Sequence, residues 1–323
     1  MRSWFHSWFL ASGPVTGAVV YRVLLSVWTF GFLATRLPHA AEIYSRTVLR
    51  QPFVVLRWLG DPIPAPWLVQ MIMVALLVLL AAFAFAPLLA VEQPGRPGGP
   101  DRPDRPGQAD RPGQLCRWLQ RRARAMHLVI LVLLSALFSF DTLMQRGYGS
   151  LAYLQWWFLW FMPYERLRDA DGQIAQAPMW GLRMVQLQFC SVYVLTVLAK
   201  LVSGYGWLDG ETLYYILQSE RWGRFLLSSE GISHGLAQVL SLATLAGEIF
   251  VGLFLWHRRS RVVAMLACVL LHLSMALTLR VSVQFPTLML LHLVLFVEPT
   301  RWPRLWRRLG PEPGAATGAG TSG

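Results

Sequence analysis

The sequence predicts an all-α fold, a polytopic transmembrane helical bundle of about eight spans with no large soluble domain. Three observations carry that prediction. Apolar residues make up 55% of the chain against 14% charged, with a mean hydropathy of +0.43, which leaves too little charge to coat a soluble domain of this size. Several apolar runs reach about 18 residues or more, the length an α-helix needs to cross roughly 30 Å of hydrocarbon. The arginines behind the formal charge of +12 gather in segments that flank those runs. They read as topology signals, so no nucleic-acid partner is expected.

Taken in order, Met1 to Ser12 is short and aromatic, and the apolar stretch after it holds Arg22 and no small-residue cleavage site. That is a retained first helix. Apolar runs bounded by charge, Pro or Gly place helices at 14–36, 66–90, 126–144, 149–164, 181–203, 232–256, 261–280 and 282–298, the fourth and eighth being the shortest. Arg46, Arg50 and Arg57, with Trp58 and Trp67, lie between the first two helices and read as an interfacial amphipathic segment. Residues 94–113 are a Pro/Gly/Arg/Asp near-repeat without a large apolar residue, hence a disordered linker.

Between 91 and 125 eight arginines face four acids, which puts this loop in the cytoplasm. Arg258, Arg259 and Arg261, and then Arg301, Arg304, Arg307 and Arg308, fall on the same side after eight spans. Both termini are thus expected in the cytoplasm, and residues 204–231, with four acids and two arginines, outside an inner or plasma membrane. The expected organisation is two helices in 1–90, the basic linker at 91–125, about six helices in 126–300 and a basic, then disordered tail at 301–323. Cys116, Cys190 and Cys268 are odd in number and lack paired spacing; neither a disulfide framework nor a metal site is indicated.

Ionisable groups inside a span are costly and are functional candidates by default. Lys200 is the only lysine in the chain. Arginine keeps its proton in a protein, whereas a desolvated lysine can give its proton up and act as a base. The competing reading is a side chain near a helix end that snorkels to the interface. On one helix Gln186, Cys190, Tyr193, Thr196 and Lys200 fall within roughly a 120° arc, a polar stripe that points into the bundle. Glu248 and His272 lie at similar depth on two later helices and are candidates to pair with each other. His292 reads as a packed histidine, Arg22 as a snorkelling or paired cation, and Arg183 and Arg280 as helix-end markers. Trp207, after the glycines that end the Lys200 helix, reads as an interfacial anchor.

These residues together resemble the HTTM (horizontally transferred transmembrane) domain family, the membrane core of vitamin K-dependent gamma-carboxylases. The resemblance lies in Trp180-Gly-Leu-Arg183-Met-Val-Gln186-Leu-Gln188, Tyr193, Lys200 and Trp207-Leu-Asp-Gly210, and continues through Glu248 and Leu271-His272 to Gln284-Phe-Pro286. Tyr21-Arg22 and Trp160-Phe-Met-Pro163 also match. The resemblance implies that Lys200 is the catalytic base toward reduced vitamin K or another quinol. The quinol then reacts with oxygen to give a stronger base, which takes a proton from glutamate of a peptide or protein before carbon dioxide adds. Gln186, Tyr193, Trp207, Glu248 and His272 are the expected cofactor-binding residues, and no metal is expected.

Two departures stand out. Animal carboxylases carry a large soluble region after the membrane core, where this chain has residues 299–323, so a separate substrate-recruiting protein is the expected partner besides membrane lipid. Their Asn-His-Ser-Tyr-Leu stretch aligns with Ser150-Leu151-Ala152-Tyr153-Leu154, which lacks the histidine. The alternative function is a non-catalytic membrane factor for maturation or export of a secreted peptide. A transporter is less favoured, because the chain shows no internal repeat.

Overall fold

In hydrocarbon a backbone has no hydrogen-bond partner but itself, so long apolar runs fold as helices. The computed structural model places a helix on each of the eight predicted runs. It describes residues 9–44, 63–89, 122–140, 147–165, 167, 174–204, 206–224, 232–280 and 283–298. The linker as far as residue 121, the segment with Arg46, Arg50, Arg57 and Trp58, and the tail from 299 lie outside them.

The helices are α1 (Thr16–Arg36), α2 (Ala40–Tyr44), α3 (Pro66–Leu89), α4 (Ala123–Phe140), α5 (Tyr148–Trp160), α6 (Trp180–Val202), α7 (Glu211–Gln218), α8 (His234–Phe254), α9 (Arg261–Thr278) and α10 (Gln284–Leu291), which a 3-10 turn extends over His292–Phe296. Among the described residues six, namely α1, α3, α4, α6, α8 and α9, are long and apolar enough to cross a membrane. α5 and α10 are the short ones, at the fourth and eighth predicted positions. α5 stops at Trp160, three residues before Pro163, which cannot donate to a helix. A two-stranded antiparallel pairing of β1 (Ser12–Pro14) with β2 (Gln176–Pro178) was not legible in advance, because three residues are too few to show alternation.

α1 packs on α3 and α10, α3 on α4, and α4 on α5, while α6 packs on α5 and α8 and α9 packs on α8 and α10. Arg22 belongs to the first of these joints and does not snorkel: it is fully buried. Pro87 has no N–H to give the carbonyl of Phe83 one turn earlier in α3, and an Arg22 Nη donates to that carbonyl at 2.6 Å. A second Nη donates to the Tyr164 carbonyl at 3.2 Å, and the guanidinium lies 3.8 Å over the Phe83 ring. The charge therefore satisfies a carbonyl that a proline orphaned.

α6 and α8 approach closely at Gly252, where a Cβ would come 2.8 Å from Val194 and 3.1 Å from the Cys190 carbonyl oxygen. A seam of polar groups, all buried except the half-buried Gln188, joins α1, α5, α6 and the 3-10 turn. Tyr21 donates to Gln155 at 2.9 Å and lies 3.1 Å from His292 Nε2, Gln155 donates to Gln188 at 2.6 Å, and His292 stacks on Phe189. His292 is thus the packed, hydrogen-bonded histidine expected.

Candidate functional site

α6 ends where Gly204 and Gly206 adopt positive φ, a conformation that glycine alone reaches without strain. The chain turns there and carries Trp207 back over the helix end. The Trp207 carbonyl accepts a hydrogen bond from Ser241 of α8 at 2.5 Å, and the Leu208 carbonyl accepts one from Gln238 at 3.3 Å. Gly210, at φ 84°, starts α7 against the α8 backbone, so closely that a Cβ would stand 2.3 Å from the Gln238 Cα. This is the physical reason for the glycine in Trp207-Leu-Asp-Gly210. Gly210→Ala is expected to lower stability by about 2 kcal/mol or more through strain and clash, read as an earlier thermal transition in detergent.

Lys200 lies in the last turn of α6 and reaches Glu248 of α8, with Nζ 2.6 Å from Oε1. The two side chains are 15% and 7% exposed, so the pair is held largely out of water. The amine also lies 4.4 Å from the centroid of the Trp207 ring, a cation–π contact worth about 0.5–2 kcal/mol. The other carboxylate oxygen, Glu248 Oε2, is buried without a hydrogen-bond partner.

Glu248 and His272, candidates to pair by their depth in the sequence, do not meet. Lys200 takes the carboxylate, and His272 Nε2 lies 2.7 Å from the Tyr193 hydroxyl, which also meets Cys268 Sγ at 3.2 Å. The helical phase explains the exchange: Tyr193 and Lys200 lie two turns apart on one face of α6, so each meets its own partner across the interface. His272 Nδ1 is buried without a hydrogen-bond partner. Gln186 lies apart from this group, donating to the Leu295 carbonyl at 2.6 Å and accepting from Arg183 at 2.8 Å. Arg183 is therefore engaged within the bundle and does more than mark a helix end. Arg280 follows the end of α9 and its N–H donates to the Trp222 carbonyl.

Beside the pair runs a cleft of about 530 Å³, with Lys200 and Trp207 on its wall. α8 contributes Leu240, Ala243, Thr244 and Gly247, and α9 contributes a stripe from Ala267 to Thr278, with Leu279 just beyond its end. Both follow the helical repeat of three and four. Leu213, Ile216 and Leu217 of the amphipathic α7 close a further side. Thr244 and Thr278 each return a hydroxyl to a carbonyl of the preceding turn, so the lining is apolar in effect and the amine is its charged feature. Trp207 and Lys200 are the sequence-predicted site residues on this wall; Glu248 joins through Lys200, while Tyr193, His272 and Gln186 stand behind or away from it. The α7 and α9 contributions were missed, although the apolar positions of α7 carried an amphipathic signal.

A pair of this kind can move a proton without separating charge over a distance. Transfer from Nζ to Oε1 turns ammonium and carboxylate into amine and carboxylic acid, and the neutral amine can then accept a proton from an acidic hydroxyl in the cleft. Among the described residues no group of three His, Cys, Asp or Glu side chains could hold a metal ion.

Fold and site define an all-α membrane bundle in which an ion pair borders an apolar cleft. The chain belongs to the HTTM domain family, whose sequence model matches residues 124–302. This domain is found in vitamin K-dependent carboxylase-related proteins. The match runs from α4 to a few residues past the 3-10 turn and takes in Lys200, Trp207, Glu248 and His272. No curated protein and no solved structure matches the chain.

Proposed function

We propose that this protein is a vitamin K-dependent gamma-carboxylase-like membrane enzyme in which Lys200, partnered by Glu248, serves as base toward a quinol held in the cleft. The observation that carries this reading is the Lys200 amine on the wall of an apolar cavity of about 530 Å³, a size within the range of small-molecule sites. The residues fit such a group: apolar α8 and α9 walls suit a hydrocarbon ring and tail, Trp207 offers a stacking face, and the amine meets a hydroxyl. Reduced vitamin K or another quinol, when bound, supplies by reaction with oxygen the strong base that allows carbon dioxide to add to glutamate of a peptide or protein. Lys200 takes the hydroxyl proton, Glu248 holds the proton the amine must first lose, and Trp207 orients the amine.

In this reading the cleft opens toward the outer side of an inner or plasma membrane, and a separate protein brings the peptide. The test is purified protein in nanodiscs with reduced vitamin K, labelled bicarbonate and a glutamate-rich peptide. Label in the peptide that depends on quinol and oxygen is the expected result; none under any quinol supplied overturns the reading.

A second reading rests on the same ion pair. Because Glu248 and Trp207 already partner Lys200, the group also suits a structural lock in a non-catalytic factor for maturation or export of a secreted peptide. Arginine at position 200 separates the two.

A further inference from the structure

Two glycines of α8 differ in what surrounds them. At Gly252 an added Cβ would collide with α6, so packing demands the glycine. At Gly247 an added Cβ would meet Leu271 Cδ1 alone, at 3.9 Å, an ordinary contact. Its φ falls outside the left-handed range as well, since positive φ among the described residues is confined to Gly147, Gly204, Gly206 and Gly210. Glycine in a helix interior is less favourable than alanine, and nothing in the packing around Gly247 requires it.

The space over Gly247 is the cleft. Gly247 lines it together with Ala243, one turn earlier, and with Ala267 and Leu271 of α9, of which Leu271 comes nearest to it. The next residue in the chain is Glu248, which holds the Lys200 amine and keeps Oε2 without a partner. A side chain at 247 would therefore project into the same cleft whose wall carries the Lys200 amine, and would take up room that a ligand reaching that amine needs.

We propose that Gly247 is a specificity-determining residue, a notch that admits a flat fused-ring quinol head group to the Lys200–Glu248 pair and sets the largest ring system that reaches it. This rests on the quinol reading above and adds to it the residue that selects among quinols. A single-ring quinol needs less of the notch than a two-ring naphthoquinol. Progressive filling of position 247 thus removes the two-ring ligand first.

The experiment compares wild type, Gly247→Ala and Gly247→Leu by oxygen-free equilibrium dialysis against two tail-free probes, menadiol and trimethylhydroquinone, with thermal unfolding run alongside. Wild type is expected to bind both. Gly247→Leu is expected to lose at least about tenfold in menadiol affinity and less for trimethylhydroquinone, with Gly247→Ala between. Gly247→Ala should not melt below wild type, since its Cβ displaces no neighbouring atom. Gly247→Ala serves as the control for folding if the leucine variant melts early. Equal menadiol affinity in wild type and Gly247→Leu, or equal losses for both probes, overturns the notch and leaves the quinol reading standing. A wild type that binds neither probe overturns both.

Discussion

Replacing Lys200 with arginine is expected to abolish quinol-dependent carboxylation while leaving the bundle folded. Arginine keeps the positive charge, the reach to Glu248 and the stacking face toward Trp207, so the structural functions of the position survive. It cannot become a neutral base, because the guanidinium does not give up its proton in a protein. General-base catalysis contributes about 100- to 10,000-fold, and a loss of that size is expected in both Lys200→Arg and Lys200→Ala. The arginine variant should melt near wild type, whereas the alanine variant leaves Glu248 without its partner. The measurement is initial rate of label incorporation at saturating quinol, set beside thermal unfolding. An arginine variant within about tenfold of wild-type rate would show that position 200 supplies charge only, as the lock reading requires.

Much of the fold was legible because hydrophobic length is a strong signal in a bilayer. The eight runs found by counting apolar residues between charges each coincide with a helix, and the two shortest are those the structure shortens further. Arg22 was harder to read. A charge near the start of a span looks like an interfacial anchor in one dimension, and only the proline in α3, far along the chain, supplies the orphaned carbonyl that draws it inward. The polar stripe on α6 was visible as a face, but a stripe does not say which partner each residue meets. Lys200, Tyr193 and Gln186 share that face and yet reach Glu248, His272 and the Leu295 carbonyl respectively, because two turns of helix carry a side chain about 10.8 Å along the axis. Gly247 was invisible for a different reason. Its meaning lies in a missing side chain facing an empty volume, and sequence periodicity registers what is present on a helix face.

Removing Glu248 should destabilise the protein more than removing the whole pair. In Glu248→Ala the Lys200 ammonium keeps the Trp207 ring but loses its counter-charge in a setting where its side chain is 15% exposed. Breaking one side of a buried pair costs about 3–5 kcal/mol, and residual contact of the amine with solvent puts the expectation at about 3 kcal/mol. Glu248→Gln retains a carbonyl acceptor, so it should cost less, about 1–3 kcal/mol, yet it cannot take the proton that frees the amine and should lose carboxylation as fully as Lys200→Arg does. The double variant Lys200→Met/Glu248→Leu replaces both charges with apolar groups of similar volume, a change that is often neutral or stabilising. Equilibrium unfolding in mixed micelles orders the four proteins: wild type and double variant together at the top, then glutamine, then alanine. If Glu248→Ala instead unfolds together with wild type, the 2.6 Å contact is not an ion pair that the bundle relies on, and the proton acceptor assigned to Lys200 must be sought elsewhere. Should the double variant fall as low as alanine alone, the pair holds α6 to α8 by more than charge, and loss of activity in either single variant could not be assigned to proton transfer.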